Sequence, residues 1–175
     1  SHYLYSERYP EEYAKFKPEC MSADGQCTQA ALINAFDNSV LYIDSMLVDL
    51  FDQLRNKKAI VFYSSDHGES LSENMHFHAT PRARAPAEQF RVPFMVWMSD
   101  AYIKANPQNE SAFEQLKKLQ AQKAVVSHQS IYDTVLGCLG VQSAQEQALN
   151  PKNNLCSSQW QTSLTSSTNQ YIYPD

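Results

Sequence analysis

The sequence predicts an α/β fold. Three observations carry the prediction: a long amphipathic helix pattern over residues 28–55, an unbroken apolar run directly after it at 59–63 (AIVFY), and a second apolar run at 92–98 (VPFMVWM). A long helix feeding an apolar strand is half of a βαβ unit. A strand without polar alternation is expected to be buried on both faces, as in a central strand of a parallel sheet covered by helices.

Residues 1–27 read as irregular, with Pro10, Pro18 and a polar loop around Asp24 and Gly25. Thr28 is positioned to cap the long helix. Ile33, Phe36, Val40, Ile43, Leu47, Leu50 and Leu54 then recur at spacings of three and four, which makes one apolar stripe. Asn34, Asp44, Asp49, Asp52 and Arg55 fall elsewhere on the helix surface. Asp37 and Asn38 lie mid-helix and are expected to face solvent or to bond locally. In the second strand Pro93 sits near the start, where proline is tolerated. Residues 108–122 predict a polar surface helix. Residues 127–139 predict another, with Ile131, Val135, Leu136 and Leu139 on its apolar side and Gly140 as its stop. Residues 157–175 are rich in Ser, Thr, Gln and Asn and read as a loosely held tail. No internal repeat is visible.

A length of 175 residues suits one domain or a large piece of one, and 43% hydrophobic residues describe a globular chain. The net charge of −5 argues against a nucleic-acid partner, which would need a basic surface. No apolar run approaches the ~18 residues of a membrane span. The chain opens on Ser1, with no methionine and no signal-peptide pattern, and is expected to be the back part of something larger.

The four cysteines form two local pairs, Cys20 with Cys27 and Cys138 with Cys156. Neither pair is CxxC, and no histidine stands at zinc-finger spacing. Even, locally paired cysteines suit disulfides in an oxidising compartment, each contributing roughly 2–3 kcal/mol. The alternative is four reduced, buried thiols.

The chemistry concentrates in residues 64–74 (SSDHGESLSEN). In open α/β sheets, ligands bind at the carboxyl ends of strands. The 59–63 strand delivers Asp66, His67 and Glu69 to that edge, and His76 and His78 follow. Asp oxygen and His nitrogen are usual zinc ligands. Gly68 would let the backbone turn so that neighbouring side chains converge. An ordinary turn, with Asp66 capping local amides, is the other reading of the same residues. At least one of His76 and His78 is expected to be a plain surface histidine. His128, near a helix start, reads as structural. Arg82, Arg84 and Arg91 could clamp phosphate bidentately or be surface arginines.

The runs IVFYSSDHGESLSEN and HFHATPRARAPAEQFRVPFMVWMSD resemble the catalytic domain of bacterial phosphoethanolamine transferases, of the sulfatase/alkaline-phosphatase superfamily. TPR at 80–82, EQFRVP at 88–93, VWMSD at 96–100 and IYDTVLGCLG at 131–140 are most similar to the members that modify the Kdo sugar of lipopolysaccharide. The resemblance spans residues 1 to about 156 and implies an α/β/α sandwich of which this chain is the C-terminal portion. Residues 157–175 form the polar tail beyond it.

The resemblance also implies residue roles. Asp66 and His67 match two zinc ligands. His78 matches a histidine that contacts the transferred phosphate or a second metal, and His2 another histidine of that outer site. Glu69 matches a nearby acidic residue, placed with Arg82 at the substrate. Cys20–Cys27 matches a disulfide of periplasmic relatives. The implied cofactor is zinc, with one site expected and a second metal left open. The implied donor is phosphatidylethanolamine and the acceptor lipopolysaccharide, at the periplasmic face of the inner membrane. Membrane attachment would come through N-terminal helices outside this chain, and the protein is expected to be a monomer.

Departures from the family pattern are Ser72 and Ala79, where many members have glycine, and a loop between His67 and His78 one residue shorter than in lipid A-modifying relatives. The family's remaining zinc ligands, a glutamate and the nucleophilic threonine, lie upstream of the segment matched here. The chain is therefore expected to be inactive alone. A sulfatase or a phosphoglycerol transferase of the same superfamily is the alternative activity.

Overall fold

The computed structural model describes residues 4–22, 26–72, 75–81, 83–141 and 149–162. His2, Arg82, the side chain of His76 and the tail beyond residue 162 lie outside the described residues. The helices are α1 (Gln29–Leu54), α2 (Asp100–Ile103), α3 (Pro107–Ala121) and α4 (Ile131–Cys138). The strands are β1 (Ile60–Ser64), β2 (Ser70–Ser72), β3 (Met75–Phe77) and β4 (Phe94–Met98). None of the described helices is long and apolar enough to cross a membrane. The chain divides into two compact units, one from residues 1–53 and 65–92, the other from 54–64 and 93–175.

In the first unit, Thr28 caps α1 as the sequence predicts: its Oγ1 accepts the Ala31 N–H at 3.2 Å. The buried face differs from the predicted stripe. Ala31, Leu32, Ala35, Asn38 and Ser39 are buried, whereas Ile33, Val40 and Leu50 are exposed. The period is that of a helix in both cases, but its phase is set by packing. Small side chains at 31, 35 and 39 let the irregular N-terminal segment approach the helix backbone. Tyr5, Cys20, Cys27, Phe36 and Leu71 complete this core. The Tyr5 ring meets Phe36 edge-on at 5.2 Å.

Asn38, expected to face solvent or bond locally, is fully buried and binds residues far along the chain. Its Oδ1 accepts the backbone N–H groups of Lys15 and Phe16 at 3.0 and 2.9 Å. Its Nδ2 donates to Phe16 O at 3.1 Å and to Glu19 Oε1 at 3.0 Å. This buried amide bonds backbone groups of the irregular segment, of which the Lys15 N–H also donates to Tyr13 O at 2.8 Å.

In the second unit, β1 pairs with β4 antiparallel, from Ile60↔Met98 to Ser64↔Phe94. The parallel arrangement expected from the apolar run is thus corrected for this pair. Parallel neighbours need a long crossover, usually helical, whereas antiparallel ones can be joined from the same end. Ser64 lies opposite Phe94, so the chain leaves and re-enters at one end of the ladder, and no α-helix falls among the described residues between them. All five residues of β1 are half-buried, without alternation.

Ser99 ties this ladder to the helix that follows. Its Oγ donates to Lys57 O at 2.5 Å and accepts the N–H groups of Ala59 and Tyr102, each at 3.1 Å. Asn106 caps α3 through Asn109 N at 2.8 Å, with Pro107 at the first turn. Gly140, at φ +70°, ends the last helical turn. Met98, Tyr102, Ala112 and Cys138 form the buried core, with Ile60, Phe62 and Val96 packed against it.

Both disulfides form: Cys20–Cys27 with Cα atoms 5.6 Å apart and Cys138–Cys156 at 5.4 Å. No described cysteine is left free.

Candidate metal centre

The segment after β1 carries Ser65, Asp66, His67, Gly68 and Glu69 into the β2–β3 hairpin, whose pairs run from Ser70↔Phe77 to Ser72↔Met75. His78 follows β3 directly. An antiparallel hairpin brings its two bases together, so Glu69 and His78 become neighbours although nine residues separate them.

His78 Nδ1 donates to Glu69 Oε1 at 2.8 Å. The Glu69 side chain is only 5% exposed. Its second oxygen, Oε2, accepts the hydroxyl of the buried Tyr5 at 3.3 Å. The His67 and His78 rings stack with centroids 4.1 Å apart. His67 Nδ1 donates to Gly68 O at 3.0 Å. Both partners of these Nδ1 atoms, a carbonyl and a carboxylate, can only accept. In each ring Nδ1 is therefore the donor to this network, and Nε2 is the nitrogen of the kind that ligates a metal or accepts a proton.

His67, Glu69 and His78 each offer a donor atom within 4.8 Å of the others. Two imidazoles and a carboxylate are a zinc-type donor set. The Glu69 carboxyl group is held by two hydrogen-bond donors, His78 Nδ1 and the Tyr5 hydroxyl. Asp66 stands apart from this trio. Its side chain is 86% exposed, with Oδ2 3.9 Å from His67 Nε2, while Oδ1 accepts the His67 backbone N–H at 3.0 Å. His67 thus faces both carboxylates.

Gly68 serves by its size. A Cβ there would lie 1.9 Å from Glu88 O, and the Gly68 N–H donates to Gln89 O at 3.0 Å. Sharp turning, the reason expected from sequence, is not its role, because its φ lies outside the left-handed region. Tyr5 and Gln89 give no signal in the sequence, since their partners lie 64 and nine residues away. In the second unit, Ser64 Oγ lies 3.0 Å from His128 Nε2, which supports the structural reading of His128. Arg84 and Arg91 are exposed.

The chain belongs to the sulfatase family, whose model matches residues 1–141. Within that class it is similar to enzymes that transfer phosphoethanolamine. It is 53% identical over 156 residues to the Kdo(2)-lipid A phosphoethanolamine 7''-transferase of Escherichia coli (strain K12), covering 89% of this chain and 27% of that protein. The soluble domain of lipooligosaccharide phosphoethanolamine transferase A from Neisseria meningitidis superposes with a TM-score of 0.77 at 34% identity, over 89% of this chain and 46% of that one. The C-terminal periplasmic domain of EcEptC from Escherichia coli, solved as a zinc complex, shares the fold at a TM-score of 0.61 and 18% identity, over 92% of this chain and 44% of that one. The chain thus spans about a quarter of the length of the curated relative it matches, and just under half of each solved domain.

Proposed function

We propose that this chain is the C-terminal part of the catalytic domain of a phosphoethanolamine transferase acting on lipopolysaccharide at the periplasmic face of the inner membrane. The observation that carries it is the His67–Glu69–His78 group, set in a sequence 53% identical to a transferase of that activity. The donor in this reading is phosphatidylethanolamine and the acceptor a hydroxyl of the Kdo region.

His67 would hold zinc together with Asp66, and Glu69 and His78 stand beside it. Zinc bound there would supply positive charge to polarise phosphate and lower the pKa of a hydroxyl. His78 Nε2, with Nδ1 bonded to Glu69, would take a proton from a hydroxyl and, once protonated, donate to a phosphoryl oxygen. His2 and Arg82 would join it at the phosphoryl oxygens. The nucleophile is the family's upstream threonine. Its oxygen forms the bond to phosphorus as the bond to diacylglycerol breaks. The acceptor hydroxyl then forms its own bond to phosphorus and releases the threonine. Periplasmic location agrees with both disulfides.

The test is a lipid-product assay on the full polypeptide with labelled phosphatidylethanolamine. His67→Ala or Asp66→Ala is expected to abolish transfer to lipopolysaccharide. Near-normal transfer in either variant refutes the zinc assignment, and turnover of an aryl sulfate without phosphoethanolamine transfer refutes the activity.

A further inference from the structure

We propose that Gln89 is a positioning residue that fixes the spacing of His67, Glu69 and His78. It is 5% exposed and joins both ends of the segment that carries them. At the first end, its backbone carbonyl accepts the Gly68 N–H at 3.0 Å, between His67 and Glu69. At the far end, its side chain grips Thr80, two residues past His78. Nε2 donates to Thr80 Oγ1 at 2.9 Å, and Oε1 accepts the Thr80 N–H at 3.3 Å. One residue therefore sets the distance between the two bases of the hairpin.

Three features make this more than a loop contact. Gly68 can approach Gln89 only because it lacks a side chain, since a Cβ would fall 1.9 Å from Glu88 O. Ala79, between His78 and Thr80, holds a φ of +64°, a conformation that costs free energy for a residue with a side chain. The Thr80 contacts lie immediately after that residue and hold the chain there. The His67–His78 stack and the His78–Glu69 bond both span the gap that Gln89 closes. A shift of about 1 Å between the two bases would break the spacing that a metal or phosphate needs.

The importance of this device rests on the proposed metal and phosphate role, but its geometry does not. The experiment separates the two. In the metal-free protein, with disulfides intact, NMR reads the contacts between the His67 and His78 rings and the hydrogen-bonded Nδ1–H of His78. Gln89→Met keeps the length of the side chain and loses both Thr80 bonds. It is expected to weaken the ring contacts and the Nδ1–H signal while the Leu32 and Leu71 methyl shifts of the unit's core stay in place. Zinc titration of the same variant is expected to show an affinity about tenfold weaker than wild type.

Ring contacts unchanged in Gln89→Met overturn the proposal. If that variant fails to fold, Thr80→Val decides, because it removes only the Oγ1 contact. Partial loss of the ring contacts there, restored by Thr80→Ser, supports the proposal, and no change overturns it. Wild-type protein that shows the ring contacts yet binds zinc no better than His78→Ala would remove the metal role of His78 and leave the positioning role standing.

Discussion

The side-chain oxygen of Asn38 accepts the backbone N–H of Phe16 at 2.9 Å, so the centre of α1 is bonded to the irregular segment that precedes it. Asn38→Leu keeps the shape and removes every one of these bonds. It removes the side-chain partner of the Phe16 N–H and carbonyl, while the Lys15 N–H keeps Tyr13 O at 2.8 Å. At ~1–3 kcal/mol for each of these two groups, the loss should be about 2 kcal/mol or more. The urea midpoint measures it, and a midpoint near wild type would show that the segment rearranges at little cost.

The same seam gives the protein a pH dependence. Burial alone would raise the Glu19 carboxyl, but hydrogen bonds from Lys17, Tyr9 and Asn38 outweigh it and hold the pKa below the usual value. A depressed folded pKa contributes stability above the unfolded value and loses it as pH falls through the folded one. The Tyr9 hydroxyl moves the other way, pushed up to about 12 by burial and by its bond to Glu19. Its contribution is whole below pH ~10 and is lost as pH rises toward 12. Thermal midpoints should therefore fall at both ends of the scale. Glu19→Gln should flatten the acid limb and Tyr9→Phe the alkaline one.

Gly68→Ala should be costly out of proportion to one methyl group. The atom it would meet at 1.9 Å is a backbone oxygen, which cannot swing aside as a side chain would. Either the Gly68–Gln89 bond opens or the 88–91 turn shifts, at about 1–3 kcal/mol or more. The expected result is a lower melting temperature together with weaker zinc binding. An unchanged melting temperature would mean that the loop moves freely.

The two disulfides should stabilise unequally. Cys20–Cys27 closes a separation of seven residues and Cys138–Cys156 one of 18. Loop entropy then gives about 2.5 kcal/mol for the first and about 3 kcal/mol for the second. Pairwise Cys→Ser variants, compared by denaturant midpoint with and without reductant, check the order. Equal losses would show that native packing around the two bridges outweighs loop length.

Periodicity and capping in the sequence were enough to locate α1, β1, β4 and α3 within a residue or two, because those signals are local, whereas α4 begins four residues after the predicted start, behind a 3-10 turn at His128–Ser130. The cysteine spacing was enough to pair the disulfides. The Asp66–Glu69 loop was also visible, since its ligand-type residues stand next to one another at the end of a strand. Contacts over long separations were not visible. The burial of Asn38 in place of the Ile33–Val40 stripe depends on which surface the N-terminal segment covers. The antiparallel pairing of β1 with β4 depends on where the chain returns. The approach of His78 to Glu69, with Tyr5 behind them and Gln89 across their base, depends on the hairpin between them. By itself, then, the sequence determined which elements form and which residue types could carry the chemistry. Only the tertiary structure decided which side chains meet, because a helical or strand period fixes spacing along an element and leaves open the face that packing will bury.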